Sequence, residues 1–529
     1  MSGWRSNCCA VLLVLAALLL GACGRRESTD ANVLRVSQRN EPATLDPHLA
    51  TLPDEFFVIR TLAEGLLVPN PYGGQPLPGA AESWTVASDG LLYQFTLRRG
   101  AHWSDGTPVT AHDFLFSFQR ILTPALGAPK AQLFYAVKNA AAYHRGKLTD
   151  FAQVGFAAPD DYTLTIELAA PTPHLPALVA SGPWLPVPRT AVEKAGGTIA
   201  RESGWTRPAH HVSNGPFTLV EWRKNQHLFV RANPRHHAAA RLHLGGVRFQ
   251  IFDNGDTEER AFRAGQLDVT MAVPSSKLDT YSPPLLRRQL LHETRYLALN
   301  LSVAPRHDVR VRRALSLAID RDALVQNVLR GGQLAAANFV PPGLGGYTGV
   351  ERLATDPATA RQLLAAAGFP GGAGFPPLEL STWGAAPTVL EAVQQMWRRE
   401  LGIDIRLVQR EGRVHMAAVL SGDFALAFMP AIPDYDDASA LFHDLTTGAP
   451  GNIARWSERH YDALVAEAVR TLDAPRRRAL YREAEEFLLA ELPVIPLYFN
   501  LQNYLVAPRV RDWRQDAMWN RFYLDTTLD

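Results

Sequence analysis

The chain has 529 residues, more than a single hydrophobic core holds, so at least two lobes are expected. Hydrophobic residues make up 47% and charged residues 20%, the balance of a water-soluble globular protein rather than a disordered or membrane-embedded one. A formal net charge of +1, from 53 basic and 52 acidic residues, gives no electrostatic ground for a nucleic-acid partner.

At the N-terminus, Arg5 precedes an unbroken apolar run from Ala10 to Leu20. That is the length of a signal-peptide core and short of the roughly 20 residues that span a bilayer. The run ends in Leu20-Gly21-Ala22-Cys23, which resembles the bacterial lipobox. The expectation is a signal peptide over 1–22, with Cys23 as the lipidated first residue of the mature protein. An ordinary secretory signal with an incidental cysteine is the alternative. The other two cysteines, Cys8 and Cys9, leave with the signal, so the mature body has no internal disulfide, which suits an oxidising compartment. Residues 23–32 read as a polar tether.

Val33, Leu34 and Val36 in VLRVSQ read as a short strand, and a Pro-punctuated loop follows. In SWTVASDGLLYQFTLRRGAHWSDGTPVTAHDF, residues 83–114, Trp84 and Val86 alternate before Asp89-Gly90, and Leu91, Tyr93, Phe95 and Leu97 alternate after it. Asp-Gly supplies the positive φ of a tight turn, so the stretch predicts a β-hairpin with one apolar face. Asp105-Gly106 makes a second turn. Thr110 and Asp113 then cap a helix whose apolar positions run from Phe114 to Leu122. The aromatic residues read as core between this β-layer and that helix.

Farther along, strands and helices alternate. Asp308 caps a helix through Ala318, and Asp320 opens another that Gly331-Gly332 stops. Asp356-Pro357 starts a helix ended by Gly368. A strand at 378–380, a helix near 388–400 and a strand at 403–407 make a βαβ crossover with a parallel pair. LPVIPLYFN, residues 492–500, reads as a buried strand.

Catalytic motifs are missing from the sequence. It has no G-x-S-x-G elbow, no G-x-x-x-x-G-K phosphate loop and no H-E-x-x-H zinc helix. The doublets His210-His211 and His236-His237 invite a metal. Adjacent side chains diverge on a strand or helix, however, so solvated loop histidines are the expectation, with no metal and no cofactor.

Seven stretches in order resemble the peptide-binding family (family 5) of extracytoplasmic solute-binding proteins, the receptors of ABC importers. They are TLDPHLA (44–50), LAEGLL (62–67), PLPGAAESW (76–84), WSDGTPVTAHDFLFSFQR (103–120), SNGPFTLVEW (213–222), DVRVRRALSLAIDRDALV (308–325) and PDYDDASALF (433–442). The resemblance covers essentially the whole mature chain. It implies a two-lobed α/β protein that closes on its ligand (the type II periplasmic-binding fold), with an extra β-rich subdomain. Lobe I is expected at 33–64, 186–287 and 496–529, the β-rich subdomain at 65–185, and lobe II at 288–495. The implied function is a lipid-anchored, monomeric periplasmic receptor that delivers peptides to an ABC permease driven by separate ATPase subunits. The alternatives are a nickel, haem or other non-peptide receptor of the same family, or a sensor without transport.

A peptide is a zwitterion, and a cleft closing on it must neutralise the buried ammonium, for which a carboxylate is the natural partner. By the resemblance that carboxylate is Asp434, beside Tyr435. On residue type alone, an aspartate in PDYDD reads as a turn cap. The resemblance further implies backbone contacts from the loop Thr51-Leu52-Pro53. It also marks departures: the oligopeptide receptors have tryptophan where this chain has Gly412 and Ala431, arginine where it has Phe428, and tyrosine where it has Lys130. Lys130 reads otherwise as a surface lysine.

Overall fold

A computed structural model describes residues 32–201, 203–350, 354–383 and 388–529. Cys23, the signal segment and nearly all of the expected tether lie outside the described residues.

The strand Val33–Gln38 forms where the sequence places it. It pairs in parallel with Gly246–Ile251, Val33 opposite Gly246, at the edge of a four-stranded sheet completed by His227–Ala232 and Phe217–Arg223. This is the sheet of lobe I, and its core includes Leu34, Val36, Phe217, Val230 and Phe249.

The hairpin comprises Ala81–Val86 and Leu92–Leu97, and Gly90 at its turn has φ +71°. Tyr93, Phe95 and Leu97 are buried, while Leu92 before them and Gln94 between them face out, the period of two that a pleated strand imposes. The partner strand is an edge, so Trp84 is half-buried and Val86 exposed. The capping box of Thr110 and Asp113 opens the helix Ala111–Leu122, which lays Phe114 and Phe118 on the sheet. Phe118 is the centre of this core, with ring centroids 4.8 Å from Phe156, 5.1 Å from Trp184 and 5.6 Å from Phe134.

Two of the family-like stretches meet at a buried ion pair. Arg120, near the end of that helix, donates to both carboxylate oxygens of Asp46, at 3.1 and 2.5 Å, and to His48 Nδ1 at 2.8 Å. His48 Nε2 donates to the Leu185 carbonyl, 3.2 Å away. Burial, reinforced by the Arg120 charge, lowers the His48 pKa to about 3, so the ring is neutral. Asn214 likewise ties two distant stretches together. Its side chain accepts from the Glu64 N–H and donates to the Glu64 carbonyl.

Lobe II is built on a six-stranded mixed sheet in the order 334–335, 494–505, 286–299, 426–431, 378–383, 405–410. Alternate residues of its central strands feed two cores. Leu297, Leu299, Leu426 and Phe428 pack against the helices Val309–Leu317, Pro357–Ala366 and Thr388–Leu401. Tyr296, Ala298, Ala427 and Met429 pack against Arg459–Ala468 and Ala474–Glu491. The crossover Leu378–Trp383, Thr388–Leu401, Ile405–Arg410 is as the sequence predicts, with a parallel strand pair, although its second strand begins two residues later than expected. The helix opened by Asp320 is less regular than predicted: a short turn, Arg321–Ala323, runs on as a π-helix, Leu324–Leu329.

The long strands Leu286–Leu299 and Val494–Leu505 pair antiparallel, with Arg287 opposite Tyr504 and Leu297 opposite Ile495. Residue 287 thus lies opposite 504 in this pair, whereas 495 lies opposite 297. The register breaks between the pairs Leu290–Leu501 and Thr294–Phe499.

Candidate functional site

Asp434 follows the strand Leu426–Ala431 and faces a cavity of about 390 Å³ where three parts of the chain meet. Lobe II supplies Asp434, Tyr435, Asp436 and His292; the β-rich subdomain supplies the turn around Tyr72; lobe I supplies Arg60 and Asp516. The size falls within the range of small-ligand pockets. The charged lining is three carboxylates against one guanidinium, which suits a cationic group. Burial pushes the Asp516 carboxyl up to about 6, opposed by bonds from Asn520 and by the Arg60 charge. Burial also holds the His292 imidazole below its usual pKa.

The PDYDD loop divides its labour. Asp437 caps the turn, accepting from the Ser439 N–H at 2.9 Å and the Tyr481 hydroxyl at 3.1 Å. Asp436 accepts from the Gly345 N–H at 2.8 Å. Asp434 makes no turn bond among the described residues. Its partner is Lys130 Nζ, 2.9 Å from Oδ2, reaching over from the β-rich subdomain. The expectation of a plain surface lysine is thereby corrected: Lys130 is about a quarter exposed and spans the interface between the lobes. Tyr435 is buried in the subdomain's core, stacked on His174 with centroids 5.5 Å apart, and its hydroxyl meets Ser439 Oγ at 3.1 Å. Lobe II is thus docked against the subdomain beside Asp434.

Other sequence candidates lie elsewhere. The N–H groups of Thr51 and Leu52 donate to Glu55 Oε2, at 2.8 and 3.0 Å, and so cap the helix Pro53–Leu62. Neither they nor Pro53 lines the Asp434 cavity. Gly412 opens the helix Gly412–Ser421, and a Cβ built there meets nothing within 4 Å. Ala431 is buried at the end of its strand, opposite Thr294. Phe428 is core, stacked on Trp383 at 6.0 Å. On the neighbouring strand, Arg295 lies over the Trp383 and Phe428 rings at 5.8 and 5.9 Å. Arg295 is paired with Glu293 and, with Arg39, Gln333 and Asn500, lines a second cavity of about 300 Å³ between the lobes. Sequence reasoning missed Arg295 because its relation to Phe428 is a cross-strand one.

The His236-His237 doublet converges after all. His236 Nε2 lies 3.0 Å and His237 Nε2 2.7 Å from the two oxygens of Glu64, the one such potential metal-ligand group among the described residues. The doublet sits in a turn, where the strand and helix rules of divergence do not apply. His236 Nδ1 accepts from the Ala238 N–H, so its Nε2 carries the proton that Glu64 receives. A metal ligand would need the opposite tautomer. The cluster therefore fits a hydrogen-bonded brace, and the two hydrogen bonds hold the Glu64 carboxyl near 2 against its burial.

Residues 75–452 match the family described as bacterial extracellular solute-binding proteins, family 5. The probable deoxycholate-binding periplasmic protein YgiS of Escherichia coli is 32% identical over 497 residues, 90% of each chain. The periplasmic murein peptide-binding protein MppA of the same organism is 32% identical over 534 residues, 96% of this chain and 95% of its own. Among solved structures, MppA superposes with a TM-score of 0.83 at 30% identity, covering 94% of this chain and 98% of its own. The Haemophilus influenzae oligopeptide-binding protein OppA, in complex with the peptide RPPGFSPFR, gives 0.82 at 27% identity, covering 94% and 99%.

Proposed function

Since the chain belongs to family 5 of the bacterial extracellular solute-binding proteins, a family of two-lobed binding proteins, we propose that it captures peptides between its lobes and delivers them to an ABC permease. The observation that carries this reading is the division of labour in the PDYDD loop. Asp436 and Asp437 are spent on backbone and hydroxyl donors, while Asp434 is spent on an ammonium, in an acidic cavity between the lobes. A peptide's α-ammonium is the same chemical group as the Lys130 terminus now bonded there. The names of the relatives support the substrate class: murein peptide for MppA and oligopeptide for OppA.

Catalysis plays no part in this account, and ATP is hydrolysed by separate subunits. The protein is a monomer held at the membrane by a lipid on Cys23, with its body in the periplasm. Among the described residues no helix is long and apolar enough to cross a membrane, in keeping with a tether outside the folded body. Calorimetric titration with tri- and tetrapeptides tests the reading. Binding that is weakened in Asp434→Ala supports it, and heat from nickel or haem but from no peptide rejects it.

A further inference from the structure

Lys130 and a ligand's amino end compete for one carboxylate. Lys130 Nζ is at full hydrogen-bond distance from Asp434 Oδ2, and the two residues are 304 positions apart on opposite sides of the lobe interface. The contact is braced: the residue after Asp434 is buried in the subdomain's core and stacked on His174. The Gly90 turn of the hairpin also lies against the Leu472 side chain of lobe II. Lys130 itself leads into the short turn Ala131–Phe134, whose Phe134 is locked against Trp184 at 4.0 Å. Its backbone is therefore fixed, and only its four-carbon stem has to move.

We propose that Lys130 determines how this protein reads the amino end of a peptide, by neutralising Asp434 from within. The inference rests on the peptide reading above and deepens it. An approaching ammonium meets a neutral ion pair rather than a free negative charge. To bond Asp434 it must displace Lys130 or share the carboxylate with it, and in either case a cation–carboxylate attraction already made is given up or opposed. A peptide whose amino end is acylated pays neither cost and leaves the Lys130–Asp434 pair in place. The substrate class that follows is peptides regardless of amino-end charge, N-acylated ones included, in place of a strict requirement for a free α-amine.

The test uses a synthetic tripeptide library with free amino ends and the same library N-acetylated, with dissociation constants for the best binders measured by calorimetry. The wild-type protein is expected to prefer free over acetylated ends by less than about fivefold. Lys130→Met should bind free ends about tenfold tighter and acetylated ends no tighter, and Lys130→Arg should restore the wild-type ratio. A wild-type preference above about thirtyfold, or a ratio unmoved in Lys130→Met, overturns the proposal. A thermal-unfolding cycle of Lys130→Met, Asp434→Asn and the double variant reads the pair without any ligand. Non-additive shifts in Tm support it and additive shifts overturn it. Should neither library bind any variant, the peptide reading fails, and the unfolding cycle still decides whether Lys130 neutralises Asp434.

Discussion

Replacing Asp434 with alanine separates a binding group from a bystander, and its size follows from the geometry. Two unit charges 4 Å apart attract by about 4 kcal/mol at an effective dielectric constant of 20. The Asp434 side chain is one-third exposed, so screening by water brings the gain down toward the range of about 1–2 kcal/mol. With Lys130 already bonded at 2.9 Å, the net gain for an incoming ammonium falls to the lower end, about 1 kcal/mol, or roughly fivefold in Kd. In a Lys130→Met background the same substitution removes an unshared partner and costs the upper end of that range, about 2 kcal/mol or some thirtyfold. Calorimetry at two salt concentrations is the assay, and the free-amine effect shrinks at high salt because the pair is partly exposed. Unchanged affinity for free-amine peptides on losing Asp434 in the Lys130→Met background refutes the reasoning.

Other consequences concern stability. The folded His48 takes its proton near pH 3 and the unfolded one near 6.5, so the stabilisation is complete above 6.5 and is lost as pH falls toward 3, by roughly 5 kcal/mol at most. Urea unfolding between pH 7.5 and 4 should show this slope, and His48→Gln should reduce it, leaving the part due to His211, which burial lowers to about 4. Phe118→Ala empties the centre of the aromatic core and should cost about 3–5 kcal/mol in the same assay. Gly215→Ala sets a Cβ 2.7 Å from the Ala63 nitrogen and the Leu62 carbonyl carbon and should cost about 1–3 kcal/mol, whereas Gly412→Ala, with nothing within 4 Å, should stay within about 0.5 kcal/mol of wild type.

What the sequence revealed was local. Asp-Gly turns, the Thr110–Asp113 box and the Asp308 and Asp356 caps act within three residues of where they stand, so the elements they bound were readable in advance. Residue type alone did not separate Asp434 from its two neighbouring aspartates; only the resemblance singled it out. The partners of those residues were not readable. Lys130 meets Asp434, and Arg120 meets Asp46, only because whole lobes and layers dock, and no spacing rule reaches across such distances. Arg295 over Phe428 depends on the register of two antiparallel strands, and the meeting of His236 and His237 on Glu64 depends on a turn. The Thr51–Leu52 loop shows the converse. The resemblance implied backbone contacts from it to a ligand, yet Glu55 takes both N–H groups.

The central claim is that the space between the lobes holds peptide. The most direct test is mass spectrometry of the small molecules released when protein purified from a peptide-rich medium, without denaturant, is unfolded. The account predicts a family of short peptides in near-equimolar amount, reduced in Asp434→Ala. A single bile acid, haem or nickel at full occupancy, with no peptide, would contradict it.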